Sequence, residues 1–247
     1  MSRERLLEHR QIWAKKPVLA RVYRPWFEAL LAEIPRGGRA LEVGAGPGFL
    51  AEEARKSRSD ARLLAMDLLQ VPWNDLVGDG LRLPVGSGRL QAVLGLDLVH
   101  HLARPAAFFT EVARALDPAG RLAVVEPWVT PFSFPIYRWL HQEGCTPGLD
   151  PWDPFGVGEG AKDAFDGDAA VVWRLVRHTS ALRWKELGFK PPKVVVLNAF
   201  AYLLSLGFKK GSLLPPGAVG AVQALDDALG FAAPLLGLRV LAVWEKA

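Results

Sequence analysis

The chain has one cysteine, Cys145, among its 247 residues, so no disulfide can close within it. A chain of this length buries a large core without staples, and low cysteine use fits a reducing compartment. A lone thiol of this kind is read as inert rather than as a nucleophile. The first ten residues, MSRERLLEHR, lack the apolar centre of a secretory signal. No apolar run reaches the roughly 20 residues of a membrane helix; stretches such as 194–206 are too short or too interrupted. The expectation is therefore a cytoplasmic protein without integral membrane association. The formal charge is only +4, and Lys and Arg are mixed with Asp and Glu. The dense basic run of a nucleic-acid binder is missing. Internal repeats and low-complexity segments are absent too.

What is present is an alternation of short apolar strands and helices. Residues 2–16 read as a charged amphipathic helix with Leu6, Leu7 and Trp13 on its apolar side. A second helix is expected to follow Pro25 and to stop at Pro35. From Arg39 the pattern becomes strand 40–43, helix 49–58, strand 61–66, a brief strand at 76–77, strand 92–96, helix 105–116, a turn at 117–120 and strand 122–125. Helix 169–187, strand 193–197, helix 218–229 and strand 238–244 follow the same logic. Near-continuous apolar strands separated by helices imply a mainly parallel sheet covered on both faces.

Residues 128–168 interrupt this rhythm. They are rich in Pro, Gly and aromatic residues, including Trp128, Phe132, Phe134, Tyr137, Trp139, Trp152 and Phe155. Long loop-rich insertions are uncommon in compact domains and often functional. This one reads either as extra core or as a lid over an apolar or ring-shaped substrate. The chain thus divides into a helical cap (1–36), a core (37–127), the insertion (128–168) and a C-terminal part (169–247), all within one domain.

The strongest local signal is Glu42-Val43-Gly44-Ala45-Gly46-Pro47-Gly48, which follows a strand and opens a helix. Glycines allow a tight turn and a close backbone approach, and the helix start offers free N–H groups to a polar ligand. A dinucleotide would suit this turn as well. Its fingerprint, however, wants the third glycine one position later, where Phe49 stands. The next strand ends in Asp67, able to accept from both hydroxyls of a ribose, and Asp79 in Val77-Gly78-Asp79-Gly80-Leu81 can accept from an adenine amino group. Leu68 and Leu81 can sandwich the ring. Glu42 either braces the loop from beneath or touches the ligand.

The ordered runs ALEVGAGPGFLAEEA, AMD, GDGLRLP, AVLGLDLVHHL and ALDPAGRLAVVEP resemble the class I S-adenosylmethionine-dependent methyltransferases, specifically the small-molecule type that includes ubiquinone and menaquinone methylases. The resemblance spans about residues 9–127. It implies a Rossmann-like seven-stranded sheet of order 3-2-1-4-5-7-6 with the last strand antiparallel. It also implies S-adenosyl-L-methionine as cofactor, held by Glu42, Gly44, Ala45, Gly46, Gly48, Asp67, Leu68, Asp79, Gly80, Leu81 and Asp97, with Tyr23 of the N-terminal segment as a further contact. One departure is Gln91, where relatives commonly carry an acid.

Two histidines, His100 and His101, follow the fourth strand, where an acceptor would approach. Either can serve as a general base, or they pack and brace the loop. The segment HQEGC (141–145) holds His141 and Glu143, but a metal site would want a partner cluster elsewhere, so no metal is expected. No AspProProTyr-type run follows strand four, which argues against methylation of nucleic-acid bases. The function that follows is methyl transfer to a small-molecule acceptor at O, N or C. A non-catalytic cofactor-binding accessory protein of the same fold is the alternative, and a nicotinamide-dependent oxidoreductase rests on the glycine turn alone.

Overall fold

The computed structural model describes residues 3–141, 143–156 and 166–247. Its centre is one seven-stranded sheet of order β3-β2-β1-β4-β5-β7-β6. The strands are β1 (Arg39–Val43), β2 (Arg62–Asp67), β3 (Leu76–Val77), β4 (Leu90–Leu96), β5 (Leu116–Pro127), β6 (Lys193–Leu197) and β7 (Arg239–Glu245). β1 to β5 pair in parallel, while β7 runs antiparallel between β5 and β6. This is the order and orientation that the sequence resemblance implies.

Alternation along the strands divides the core in two. Leu41, Val93 and Val124 face one side with Phe108, Phe109 and Val112 of α4 (Pro105–Ala115). That layer also holds Val171, Val172 and Leu175 of α6 (Val171–His178) and Trp184 of α7 (Ala181–Glu186). Ala40, Leu94 and Val125 face the other side. They meet α2 (Val18–Ala32), α3 (Phe49–Ser57), α8 (Phe200–Ser205) and α9 (Val219–Ala228). The period of two in a strand is what lets each strand serve both layers. α1 (Arg3–Lys15), α5 (Ser133–Trp139) and α10 (Ala233–Leu236) complete the helices.

Several boundaries differ from the sequence reading. α2 begins at Val18 and runs through Pro25 rather than starting after it. An interior proline costs about 3 kcal/mol. The stripe Val18, Leu19, Val22, Tyr23, Trp26, Phe27, Leu30 and Leu31 is buried, and each such side chain contributes roughly 1.5–3 kcal/mol, so burial wins. The expected turn at 117–120 is instead a bulge inside β5, whose register shifts between Leu90 and Ala92 of β4. The expected helix 169–187 is two helices, because Thr179 is extended and Ser180 caps α7 by accepting from the Arg183 N–H at 3.1 Å. Among the described residues no single helix is long and apolar enough to cross a membrane; the pair Pro216–Ala228 and Gly230–Leu236 meets that criterion only together, across a 58° bend.

Candidate active site

β1, β2, β3 and β4 are parallel, so the loops after them share the carboxyl edge of the sheet, the usual ligand edge of open α/β folds. The glycine turn leaves β1 with Gly44, Gly46 and Gly48 at φ values of +67°, +50° and +81°. These left-handed conformations suit glycine and disfavour residues with a Cβ. Asp67 closes β2, and its Oδ2 accepts the Gly46 N–H at 2.8 Å while Oδ1 accepts from Leu69 at 3.0 Å. The second carboxyl turn is thereby tied to the first. Asp79 accepts the Leu81 N–H at 2.9 Å. Gly80 lies where a Cβ would come within 3.2 Å of Val43, so the Asp79 turn is docked beside the end of β1. Leu68 is exposed and Leu81 packs partly on the core.

Glu42 lies beneath the glycine turn, 3% exposed, and its Oε2 has no partner. Burial pushes its carboxyl up to about 8; the Ala51 backbone N–H opposes this, and the Asp67 charge adds to it. A raised acid favours the folded state below its unfolded value of 4.5 and penalises it as pH rises towards 8. Glu42→Gln is therefore expected to be more stable than wild type at pH 9, by roughly 1 kcal/mol or more. The two proteins are expected to converge near pH 4, and urea unfolding at both pH values checks this.

The turn is covered from above. Arg10 of α1 donates to the Pro47 carbonyl at 2.6 Å, pairs with Glu52 at 2.7 Å and lies over the Trp73 ring at 4.6 Å. Trp73 donates to the Gly46 carbonyl at 2.8 Å, and a Cβ on Gly48 would sit 2.6 Å from its ring. Leu6 closes over Gly46, and Leu98 lies where a Cβ on Gly44 would fall, 2.8 Å from its Cδ1. Asp67 is consequently only 2% exposed.

At the end of β4 Asp97 takes a positive φ of 53° and pairs with Arg239, the first residue of β7. Burial raises the Asp97 carboxyl, with Arg239 and then His100 opposing. The Arg239 guanidinium lies over Trp26 at 4.8 Å and Tyr202 at 5.5 Å. Tyr23 belongs to this aromatic group, 4% exposed, with its ring 4.9 Å from Trp26 and 5.8 Å from Tyr202.

His100 is 1% exposed and engaged at both ring nitrogens: Nδ1 with Glu126 at 2.5 Å and Nε2 with Glu143 at 3.1 Å. Glu126 is fully buried at the end of β5, and its other oxygen accepts the N–H groups of Leu98 at 2.9 Å and Val99 at 2.6 Å. Burial opposes ionisation of this pair. The imidazole is nevertheless lifted to about 10 by Glu126 and then Glu143. Glu126 is held below the usual carboxylate range by His100 and the two N–H groups. His101 keeps a 17% exposed side chain 3.7 Å from Glu143; burial and then the His100 charge lower it to about 4. His100 is thus a buried member of an ionic network, whereas His101, largely covered beside it, stays a neutral imidazole. Cys145 is 1% exposed, and burial raises its thiol to about 11, as befits an inert group.

Sequence reasoning did not single out Glu126 or Arg239. Each is one polar residue bounding an apolar strand, in VVEP and LRVLAVW, and that was the available signal. Of the insertion, Trp128 and Tyr137 are buried core, whereas Trp139 is 72% exposed. Residues 142 and 157–165 of the expected lid lie outside the described residues.

The sheet order and the glycine turn at its carboxyl edge together define the class I S-adenosylmethionine-dependent methyltransferase fold. Comparison with known proteins agrees: residues 41–124 match a family described as a methyltransferase domain. No curated protein matches the sequence. Solved structures do match in fold. A chain from the complex between the Haloferax volcanii Trm112 methyltransferase activator and a protein assigned as a methyltransferase has a TM-score of 0.52 at 14% identity, over 96% of this chain and 93% of that one. A protein assigned as a sarcosine dimethylglycine methyltransferase from Galdieria sulphuraria gives 0.51 at 14% identity, over 90% and 84%. Geranyl diphosphate C-methyltransferase from Streptomyces coelicolor A3(2), in complex with Mg2+, geranyl diphosphate and S-adenosyl-L-homocysteine, gives 0.50 at 14% identity, over 91% and 80%.

Proposed function

We propose that the chain is an enzyme that transfers the methyl group of S-adenosylmethionine to a small-molecule acceptor. The observation that carries this reading is the tie between Gly46 and the Asp67 carboxylate, which fixes the glycine turn and the ribose acceptor as one unit. The residues present suit the cofactor. Asp67 retains lone pairs on both oxygens for ribose hydroxyls, Asp79 is exposed at the same sheet edge, and Gly44, Gly46 and Gly48 present no Cβ, the space above them being filled in this structure by Leu98, Leu6 and Trp73. Arg10 and Leu6 of α1 and the Trp73 ring cover the turn in this structure, so on this reading cofactor binding requires them to move aside.

The cofactor supplies an electrophilic methyl group on a sulfonium. The chain's own residues orient donor and acceptor and exclude water, a task worth several orders of magnitude in rate when the reacting atoms are aligned. On this reading we assign to His101, a neutral imidazole, the removal of a proton from a hydroxyl or amine acceptor. His100, held between Glu126 and Glu143, positions it from behind; the two rings are 4.1 Å apart. The described solved structures include enzymes acting on small metabolites, which supports the acceptor class.

Incubation with methyl-labelled S-adenosylmethionine and a panel of phenols, amines and isoprenoid acceptors tests the proposal. A labelled small product is expected, and its formation is expected to fall with His101→Ala. Label appearing only in protein or nucleic acid contradicts it.

A further inference from the structure

The cluster that follows β4, with His100 buried and Glu143, His101 and His141 partly open, gathers residues distant in sequence. His100 Nε2 lies 3.1 Å from Glu143, His101 Nε2 3.7 Å and His141 Nδ1 3.8 Å. The ligand atoms of His100, His101 and Glu143 all lie within 4.8 Å of one another. The partner cluster that HQEGC lacked in sequence is therefore the His100–His101 pair. Gly167 closes over both rings, where a Cβ would sit 2.9 Å from each, and the Asp168 N–H donates to the His100 carbonyl at 3.2 Å. The backbone on each side holds this arrangement in place.

We propose that His100, His101 and Glu143, with His141 at the rim, form a binding site for one divalent transition-metal ion of the zinc type. Three observations support it. Zinc–ligand bonds of about 2.1 Å put neighbouring ligand atoms of a tetrahedron about 3.4 Å apart; the histidine nitrogens lie 3.1, 3.7 and 3.8 Å from one or other Glu143 oxygen, within a set whose ligand atoms all fall inside 4.8 Å. The second is the Glu126–His100 contact. Metal-binding histidines usually give their remote N–H to a carboxylate, which fixes the tautomer and raises ligand basicity. Glu126 takes this role at Nδ1, which leaves Nε2, now donating to Glu143, as the nitrogen that gives up its proton to an incoming ion. The third is charge. Asp97, Glu126 and Glu143 bring three carboxylates around His100, and Arg239 pairs with the first of them. A divalent ion offsets the remaining two more fully than a single imidazolium does.

Imidazole and carboxylate donors select Zn2+, Fe2+ or Co2+ over Mg2+, which prefers oxygen ligands and retained water. Two His and one carboxylate leave a position open for an exogenous group. On the methyl-transfer reading, an acceptor hydroxyl or thiol held at that position would be acidified by the ion itself, so His101 would serve as ligand in the loaded protein and as base only in the metal-free one. Metal binding itself does not depend on that reading.

The test is titration of metal-free full-length protein with Co2+, read by visible absorption, and with Zn2+, read by calorimetry. One ion per chain is expected, with intense visible bands of low-coordinate cobalt that Zn2+ abolishes. Glu143→Gln is expected to weaken binding at least tenfold, and Glu126→Gln by 10–100-fold. X-ray absorption of the zinc-loaded wild type is expected to show imidazole scattering from at least two histidines, a readout that survives any folding defect of the variants. Absence of stoichiometric cobalt binding by folded wild type overturns the proposal, as does zinc without imidazole ligands. Retention of full affinity in a folded Glu143→Gln variant overturns it too. Failure here with S-adenosylmethionine binding intact leaves the methyl-transfer reading standing, and the converse also holds.

Discussion

Glu126→Ala is expected to remove about 3–5 kcal/mol of folding stability, the cost of stranding a buried ionic partner. The wild-type carboxylate is fully buried and answers three groups at once: the His100 ring at 2.5 Å and the N–H groups of Leu98 and Val99. Deleting it leaves the His100 charge facing only Glu143 and leaves two N–H groups without their acceptor. Each unsatisfied buried donor costs roughly 1–3 kcal/mol. The loss has a defined pH signature. His100 is raised from 6.5 to about 10 in the folded state, so its contribution is complete below pH 6.5 and fades as pH climbs through 10. The gap between wild type and Glu126→Ala is expected to be widest near pH 6 and to narrow by pH 10. Glu126→Gln, which keeps an oxygen for Leu98 and Val99, is expected to lose less. Denaturant unfolding of the three proteins across this range is the measurement. Equal stability of Glu126→Ala and wild type near pH 6 would remove the basis for a folded ionic network behind β4.

The second large effect concerns Asp67. Substitution by alanine is expected to weaken S-adenosylmethionine binding by about 100-fold. Hydrogen bonds to a charged acceptor are worth roughly 1.5–3 kcal/mol each, and a ribose offers two hydroxyls, so a net loss near 2.7 kcal/mol is the conservative figure. Part of it is indirect, because Asp67 also holds the Gly46 N–H at 2.8 Å. Asp79→Ala separates the two contributions. Its carboxylate is bonded locally to Leu81 rather than to the glycine turn, so a smaller loss of roughly tenfold is expected. Equal losses for Asp67→Ala and Asp79→Ala would argue that neither acid has the assigned place.

How far the sequence announced this arrangement depended on range. The glycine turn, Asp67 and Asp79 end consecutive strands, and both the chemistry and the spacing are local, so the motif order carried them. The sheet order came with the resemblance. The start of α2 was misplaced because Pro25 is a strong local stop signal, and only the buried stripe from Val18 to Leu31 overrides it. The ionic network is a tertiary product. Antiparallel pairing sets Arg239 opposite Pro127, beside Glu126 and across from Asp97, although 142 residues separate Asp97 from Arg239. The bridge between Gly144 and Asp168 brings Glu143 and Gly167, neighbours of its two ends, onto the histidine pair. No window of sequence contains both partners of either contact. The cover over the glycine turn was likewise invisible: Leu6, Arg10 and Trp73 read as ordinary helix and loop residues until the fold brings them over Gly46.

Calorimetric titration of the full chain with S-adenosylmethionine, beside a parallel titration with NAD, tests the central claim most directly. One S-adenosylmethionine per chain is expected to bind, with NAD giving no comparable heat. Folded protein that ignores S-adenosylmethionine at millimolar concentration, or that prefers NAD, would contradict the account.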